Sequence, residues 1–158
     1  MKIGIISDTH GNVPTKIYDV FKDVDQIWHA GDIGDIDVIN ELESIAPVTA
    51  VRGNMDSFPI INKYREHEIF EISKNRFYLT HQHITQNLRR ITTKAWDFDH
   101  NFQMIICGHT HIPMSKQFNS VLYFNPGSAV HSRNSGKPSI GILTINKNAS
   151  LTPEIIFI

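Results

Sequence analysis

The sequence has 158 residues, a length typical of one folded domain, and we expect a single domain over residues 1–158. Hydrophobic residues make up 41% and charged residues 20%, which are values of globular proteins and exclude a disordered chain. The 15 basic and 16 acidic side chains nearly cancel, so there is no sequence-wide positive field to attract nucleic acid or a membrane surface.

The chain opens with a predicted strand, loop and helix. Residues 2–6 form a short, almost entirely apolar run, as expected of a strand that is buried on both faces. The polar segment 7–11 follows, and Asn12 then offers an N-cap for a helix with Pro14 close behind it. Apolar residues recur at helical spacing in this helix, namely Val13, Ile17, Val20 and Phe21.

The same unit repeats once, and a third strand follows it. A second strand over residues 26–29 ends at Asp32, after which Asp35 can cap another amphipathic helix. A third strand over residues 48–51 ends at Asn54. Polar side chains therefore follow all three strands, and the carboxyl ends of parallel strands meet at one edge of a sheet.

The middle of the chain changes character. Residues 68–72 and 76–79 flank a turn-like segment and predict an antiparallel hairpin that ends at His81. A helix over residues 86–98 follows, and a strand over residues 103–107 then ends in a Gly-His-Thr-His segment.

Short strands are predicted in the last third over residues 114–118, 121–124, 140–145 and 155–157. The β-α-β opening followed by a β-rich second half favours an α/β arrangement of mixed sheets covered by helices. We expect a crevice at the carboxyl ends of the strands. No apolar run approaches the roughly 20 residues of a membrane span, and the N-terminus does not resemble a secretion signal, so we expect a cytoplasmic protein.

Seven side chains of the kinds that bind metals follow these strands. Alone, each is weak evidence, since an aspartate after a strand is often a turn residue and two histidines can simply be solvated. Their joint occurrence at the ends of successive strands is much stronger evidence for a metal site. The candidate ligands are Asp8, His10, Asp32, Asn54, His81, His109 and His111.

The order Asp-x-His, Gly-Asp, Gly-Asn, His and Gly-His-x-His resembles the calcineurin-like metallophosphoesterase superfamily, and the short chain resembles its small phosphodiesterase branch. The resemblance spans residues 3–128. It implies a four-layer α/β fold in which two β-sheets are sandwiched between helices, with two divalent metals at the sheet edge. It further implies a hydrolase that acts on a small phosphate ester.

The resemblance also implies how the ligands are divided. One ion would be held by Asp8, His10 and His111, the other by Asn54, His81 and His109, and Asp32 would bridge them. Two ions roughly 3.5 to 4 Å apart can share a hydroxide and a phosphate, which implies in-line attack on phosphorus by a metal-bridging hydroxide. Asp32, Asn54 and His10 are the residues we expect to be catalytic. Imidazole with some oxygen ligands suits Mn²⁺, our first choice, or Ni²⁺, Fe²⁺, Co²⁺ or Zn²⁺.

Two positions depart from the family pattern. Met55 stands where larger members often carry a histidine after Gly-Asn, and Gln82 stands where glycine often follows the post-hairpin histidine. Methionine cannot donate a proton to a leaving group, and the resemblance favours the small phosphodiesterase branch, in which this histidine is commonly missing. Gln82 puts in doubt the backbone geometry around His81.

Several alternatives stay open from the sequence. A phosphomonoesterase acting on a nucleotide or phosphoprotein is the runner-up, and a non-catalytic protein-binding scaffold like the retromer subunit of this fold is a different class. A homo-oligomer is also open. His83 is a candidate substrate contact, whereas His29 either orients the Asp32 loop or is simply bonded to backbone, and it is left out of the site.

Overall fold

The computed structural model describes residues 1–82, 102–118, 120–133 and 136–158. Within these ranges the chain forms ten strands and three helices. The strands are β1 (Lys2–Ile6), β2 (Gln26–Ala30), β3 (Val48–Val51), β4 (His67–Ile72), β5 (Asn75–Thr80), β6 (Met104–Ile106), β7 (Met114–Phe118), β8 (Val121–Asn125), β9 (Ser139–Ile145) and β10 (Leu151–Phe157). The helices are α1 (Lys16–Phe21), α2 (Ile36–Glu43) and α3 (Ile60–Lys63).

The strands form two mixed five-stranded sheets. The first sheet has the order β10-β9-β1-β2-β3, with β1, β2 and β3 parallel and β9 antiparallel to β1. The second sheet has the order β4-β5-β6-β8-β7, with β5, β6 and β8 parallel and the two outer strands antiparallel. The two-sheet fold expected from the sequence is thereby confirmed.

The two sheets pack face to face through a shared apolar core. Trp28 of the first sheet lies edge-on against Phe77 of the second, with ring centroids 4.9 Å apart, and both side chains are fully buried. Phe124 and Met104 of the second sheet join the same cluster as Ile5 of the first. Burial of side chains this large contributes about 1.5 to 3 kcal/mol each, so this core fixes one sheet on the other.

Helices α1 and α2 cover the outer face of the first sheet. Ile17 and Phe21 of α1, with Ile39 and Leu42 of α2, pack in one cluster against strand residues such as Ile27. The Asp35 carboxylate caps α2 as predicted, accepting a hydrogen bond of 3.0 Å from the Asp37 backbone N–H.

The first helix begins later than the sequence predicts. Thr15, not Asn12, is the N-cap residue of α1, and no side-chain hydrogen bond caps this helix. The Asn12 N–H donates instead to the Thr9 carbonyl, and Gly11 adopts a φ of 86°. The prediction was wrong because residues up to Pro14 still belong to the loop that carries Asp8 and His10.

Other predicted elements are found with small shifts. The hairpin of β4 and β5 is confirmed, and the last strand extends from Leu151 and is thus longer than the predicted 155–157. The predicted helix over residues 86–98 lies outside the described residues. Among the helices that are described, each is too short to cross a lipid bilayer.

Candidate metal centre

The carboxyl ends of five strands, from both sheets, converge at one edge of the molecule. The loops after β1, β2 and β3 come from the first sheet, and those after β5 and β6 from the second. The first two loops are tied together by backbone hydrogen bonds of 3.0 Å from Asp8 N–H to the Gly31 carbonyl and from His10 N–H to the Asp32 carbonyl. The structure brings all seven predicted ligands to this edge.

One group of ligands consists of Asp8, His10 and His111. A ligand atom of each lies within 4.8 Å of those of the other two. His111 Nε2 is 3.2 Å from Asp8 Oδ1 and 3.4 Å from His10 Nε2. The grouping matches the set that the family resemblance implies for one ion.

The second group surrounds the Asn54 side chain. Asn54 Oδ1 lies 3.1 Å from His81 Nε2 and 2.9 Å from His109 Nδ1. Asp32 Oδ2 approaches the same His81 nitrogen at 3.3 Å. Asp8 also clusters with Asp32 and His81 of this second group, because ligand atoms of these three residues lie within 4.8 Å of one another. The two groups therefore adjoin, and Asp8 belongs to both.

Backbone carbonyls fix the ring orientation of two of the histidines. His81 Nδ1 lies 2.8 Å from the Ala30 carbonyl, and His111 Nδ1 lies 2.8 Å from the His131 carbonyl. Since a carbonyl only accepts, each Nδ1 carries the proton, and Nε2 of the neutral ring presents a lone pair. In the neutral rings these lone pairs face oxygens of Asp32, Asn54 and Asp8, so the gaps suit a positive charge, supplied either by a second proton on the ring or by a metal ion.

The Asp8 carboxylate shows the same need. Asp8 is fully buried, and its Oδ2 accepts hydrogen bonds from Ser7 Oγ at 2.6 Å and from the His109 backbone N–H at 3.1 Å. Its Oδ1 is buried and lies 3.2 Å from His111 Nε2, and while that ring is neutral it accepts no hydrogen bond from the described residues. A buried carboxylate oxygen that lacks a donor and lies among imidazole nitrogens is typical of a divalent metal site. The set of ligand atoms therefore fits a metal ion.

The protonation behaviour of the ligands reflects the two carboxylates. Burial opposes a charge on His81, but the hydrogen bond to Asp32 and the charges of Asp8 and Asp32 outweigh it and raise the pKa of this ring. The hydrogen bond to Asp8 likewise raises the pKa of His111. Burial and the neighbouring His81 lower the pKa of His109. The centre therefore stabilises positive charge at His81 and His111.

Left-handed backbone conformations concentrate at the ligands. Eight non-glycine residues in the described part of the chain have positive φ, and the three outside the site, Ser73, Lys74 and Ala149, lie in hairpin turns. The other five are candidate ligands with φ between 47° and 71°, namely Asp8, His10, Asp32, His109 and His111. Such conformations cost about 1 to 3 kcal/mol each and persist at functional sites where surrounding structure enforces them.

The segment around Asn54 is held by a residue that sequence reasoning missed. Asp56 accepts hydrogen bonds from the Gly34 N–H at 2.8 Å and from the Gly53 N–H at 2.7 Å, which ties this segment to the Asp32 loop. Met55 donates its N–H to Asp32 Oδ1 at 2.8 Å. A Cβ on Gly53 would overlap the Asp32 carboxylate, so glycine is required there. An aspartate two residues after the ligand, in a turn, is the only sequence signal for Asp56.

Ser128 is a second residue that the sequence did not single out as a support. Its hydroxyl donates to the Asp8 carbonyl at 2.9 Å and accepts from the N–H groups of Val130 and His131 at 3.2 and 2.9 Å. It therefore positions the His131 carbonyl that orients His111.

The structure also locates Gln82 and Met55, the two residues that depart from the family pattern. Gln82 is exposed and its N–H donates to Thr80 Oγ1 at 3.3 Å, and His81 is oriented by Ala30 despite the missing glycine. Met55 has 65% of its surface exposed beside the centre. His83 lies outside the described residues.

Comparison with known proteins identifies the lineage of this arrangement. A family model described as the calcineurin-like phosphoesterase superfamily domain matches residues 1–148. A probable metallophosphoesterase of Methanothermobacter thermautotrophicus is 37% identical over 166 residues, covering 99% of this chain and 92% of the relative.

Solved structures agree. An archaeal phosphodiesterase superimposes with a TM-score of 0.76 at 29% identity, covering 99% of this chain and 100% of the other. Vps29 of Entamoeba histolytica in complex with Zn²⁺ superimposes with a TM-score of 0.77 at 21% identity, covering 99% of both chains, and shares the fold. The family model matches most of the chain, and the archaeal relative is similar over nearly its whole length. The chain therefore belongs to the calcineurin-like phosphoesterase superfamily.

Proposed function

We propose that this protein is a phosphodiesterase that depends on two divalent metal ions. The observation that carries the proposal is the pair of adjoining ligand groups in which carboxylate, amide and imidazole ligand atoms converge within 4.8 Å of one another. Such a centre suits two ions, because seven ligands are too many for one closed tetrahedral site.

The residues divide the work of holding the ions. We assign Asp8, His10 and His111 to one ion and Asn54, His81 and His109 to the other, with Asp32 as the shared ligand. When bound, the two ions would activate a shared water for in-line attack on phosphorus and neutralise the developing charge. The buried carboxylates of Asp8 and Asp32 leave two dications a net positive charge, which attracts an anionic ester locally although the whole chain carries −1.

Met55 supports substrates whose leaving alcohol is already acidic. Its thioether has no proton to give, and its side chain is exposed beside Asp32, where a departing alcohol would otherwise need a general acid. General-acid catalysis is worth about 10² to 10⁴-fold, so substrates with acidic leaving alcohols should be favoured. We propose manganese as the native metal on the mixed imidazole and oxygen ligands.

The test is a substrate panel with the purified protein reconstituted with Mn²⁺, Ni²⁺, Fe²⁺, Co²⁺ or Zn²⁺. We expect bis(p-nitrophenyl) phosphate to be hydrolysed with a higher kcat/KM than p-nitrophenyl phosphate, and alkyl diesters to be much slower than aryl diesters. Met55→His should narrow that gap if the new imidazole reaches the leaving oxygen. A preference for monoesters would replace the proposal with a phosphomonoesterase.

The scaffold alternative predicts a different result. A protein-binding scaffold needs neither turnover nor this convergence of ligand atoms, so its metal-loaded form should be inactive on every member of the panel. Loss of turnover on Asp8→Asn, with metal-dependent activity in the parent, would exclude that alternative.

A further inference from the structure

A cavity of about 460 Å³ lies directly beside the proposed metal centre. Thr9, His10, Val130 and His131 form part of its wall, and the His131 carbonyl is the one that orients His111. A larger recess of about 670 Å³, lined by Arg52 and the segment 61–69, includes none of the candidate ligands. Of these two cavities, the smaller is therefore the one that an ester bound to the centre would adjoin.

The lining of this cavity is mostly apolar and partly buried. Pro14, Val130, Pro138 and Ile158 each contribute half-buried apolar surface. Lys16 is the one lysine or arginine in the lining, and none of the lining side chains is acidic. These walls suit a neutral or weakly polar ring, and the volume lies within the range of small-molecule sites, about 300 to 1,000 Å³.

The wall nearest the centre is held in place independently of any ligand. The Val130 and His131 N–H groups both donate to Ser128 Oγ, and that hydroxyl donates to the Asp8 carbonyl. The loop that carries Thr9 and His10 is held by the Gly11 N–H, which donates to the Ile33 carbonyl at 2.7 Å. The cavity is thus built in part on the loop that carries His10 and on the segment that orients His111.

We propose that this cavity is a subsite for the ring-sized organic group of a phosphodiester, such as an aryl or nucleoside moiety. The inference rests on the proposed function, because the phosphate is taken to sit at the metal centre. A ring in the cavity would gain apolar contacts that inorganic phosphate or a dimethyl ester cannot make. The subsite would therefore select diesters by the size of their organic group.

Binding can test this without relying on turnover. The probes are diphenyl phosphate, dimethyl phosphate and inorganic phosphate, added to Zn²⁺-loaded protein with ¹³C-labelled Ile and Val methyl groups. We expect diphenyl phosphate to shift the Val130 and Ile158 methyl resonances saturably and dimethyl phosphate to leave them unchanged. Assignments of the two methyl groups come from Val130→Ala and Ile158→Val.

Filling the cavity supplies the second measurement. Val130→Trp should weaken diphenyl phosphate about tenfold or more, because the ring loses its buried surface, and leave the affinity for inorganic phosphate unchanged. Val130→Phe is the milder version should the tryptophan variant fail to fold. Ile61→Trp is the matched control, because Ile61 lines the larger recess and lies outside this cavity.

The outcomes separate the two proposals. Equal weakening of diphenyl phosphate by Ile61→Trp, no effect of Val130→Trp and Val130→Phe, or unshifted Val130 and Ile158 methyl resonances would overturn the subsite. Methyl shifts and selective weakening in a protein that hydrolyses no ester would support the subsite and reject the proposed activity.

Discussion

The imidazoles of His81 and His111 are each held from behind by a main-chain carbonyl, at 2.8 Å in both cases. This contact decides which nitrogen faces the centre and leaves a lone pair on the other. At the scale of single residues, the site is therefore prepared for a cation by hydrogen bonds to backbone as much as by its carboxylates.

Removal of single ligands should separate shared from individual roles. We expect Asp32→Asn to weaken both ions, because a bridging carboxylate is common to them, whereas His81→Ala and His10→Ala should each empty one position. Manganese stoichiometry by elemental analysis and calorimetry measures this. Asp8→Asn is the informative companion, because Asp8 lies in both ligand groups.

One pattern of results in these ligand variants would contradict the bridging role of Asp32. Two fully occupied ions and near-normal turnover in Asp32→Asn, together with loss of both ions in Asp8→Asn, would transfer the bridging role from Asp32 to Asp8. A parent protein that never binds more than one Mn²⁺ at saturation would reject two ions altogether.

As the pH is lowered, the affinity for metal should begin to fall at a pH above the ordinary pKa of imidazole. The hydrogen bond to Asp8 raises the pKa of His111, and at His81 the opposing effect of burial is outweighed by Asp32 and Asp8, so both rings take up protons above their ordinary value of 6.5. Protons and metal compete for the same nitrogens. The affinity for Mn²⁺ should therefore fall as the pH is lowered from 8 to 6.

The stability of the metal-free protein should depend on pH in the opposite direction. Rings whose folded pKa is raised contribute stability that is complete below the unfolded pKa and is lost as the pH rises through the folded pKa. The increase in Tm caused by saturating Mn²⁺ should thus be larger at pH 8 than at pH 6, measured by thermal unfolding at both values. An increase independent of pH would contradict competition at His81 and His111, and His81→Ala should reduce the difference.

At the scale of secondary-structure elements, His29 links the loop after β1 to the loop after β2. Its Nδ1 accepts from the Gly31 N–H at 3.2 Å, so its Nε2 carries the proton and donates to Thr9 Oγ1 at 2.9 Å. Thr9 Oγ1 in turn donates to the Ile33 carbonyl at 2.9 Å. Burial lowers the pKa of His29 to about 3, which keeps the ring neutral in this role.

Loosening that link should affect the metal centre as well as the fold. Thr9→Val removes the hydroxyl at nearly constant volume, and we expect the affinity for Mn²⁺ to fall about tenfold, because such supporting hydrogen bonds are typically worth about 10 to 100-fold. Thr152→Val is the control, since its hydroxyl accepts from Asn146 at 3.0 Å on a distant strand. Calorimetric titration gives the affinity, and thermal unfolding gives stability separately.

The two variants distinguish positioning from general stability. Both should lower the Tm, but only Thr9→Val should change the dissociation constant for Mn²⁺. Equal metal affinities in Thr9→Val, Thr152→Val and the parent would mean that the His29 link supports the fold alone.

At the scale of the whole molecule, the centre exists because two sheets place their strand ends together. Asp8, Asp32 and Asn54 follow the parallel strands of the first sheet, whereas His81 and the Gly-His-x-His segment follow parallel strands of the second. The packing of Trp28 against Phe77 and of Ile5 near Phe124 holds the sheets in this relation. Neither sheet alone carries either complete ligand group.

The succession of strands along the chain, the residues at their ends and the family could be predicted from the sequence, because apolar runs, turn residues and ligand-type side chains are local patterns. The start of α1 could not, because contacts with Thr9 and Ile33 keep the chain in a loop beyond Asn12. Strand runs carry no information about which distant strand lies alongside, so the sharing of Asp8 by both ligand groups was also beyond sequence reasoning.

The tertiary structure alone decided the chemistry of individual atoms. His10 and His111 are 101 residues apart in sequence and 3.4 Å apart in space, and the orphaned Asp8 Oδ1, the left-handed ligands and the histidine tautomers all arise from such long-range contacts. The cavity beside His10 likewise combines residues from 9 to 158. The sequence thus determined which groups are available, and the packing of the two sheets determined where their lone pairs point, because that direction depends on neighbours distant along the chain.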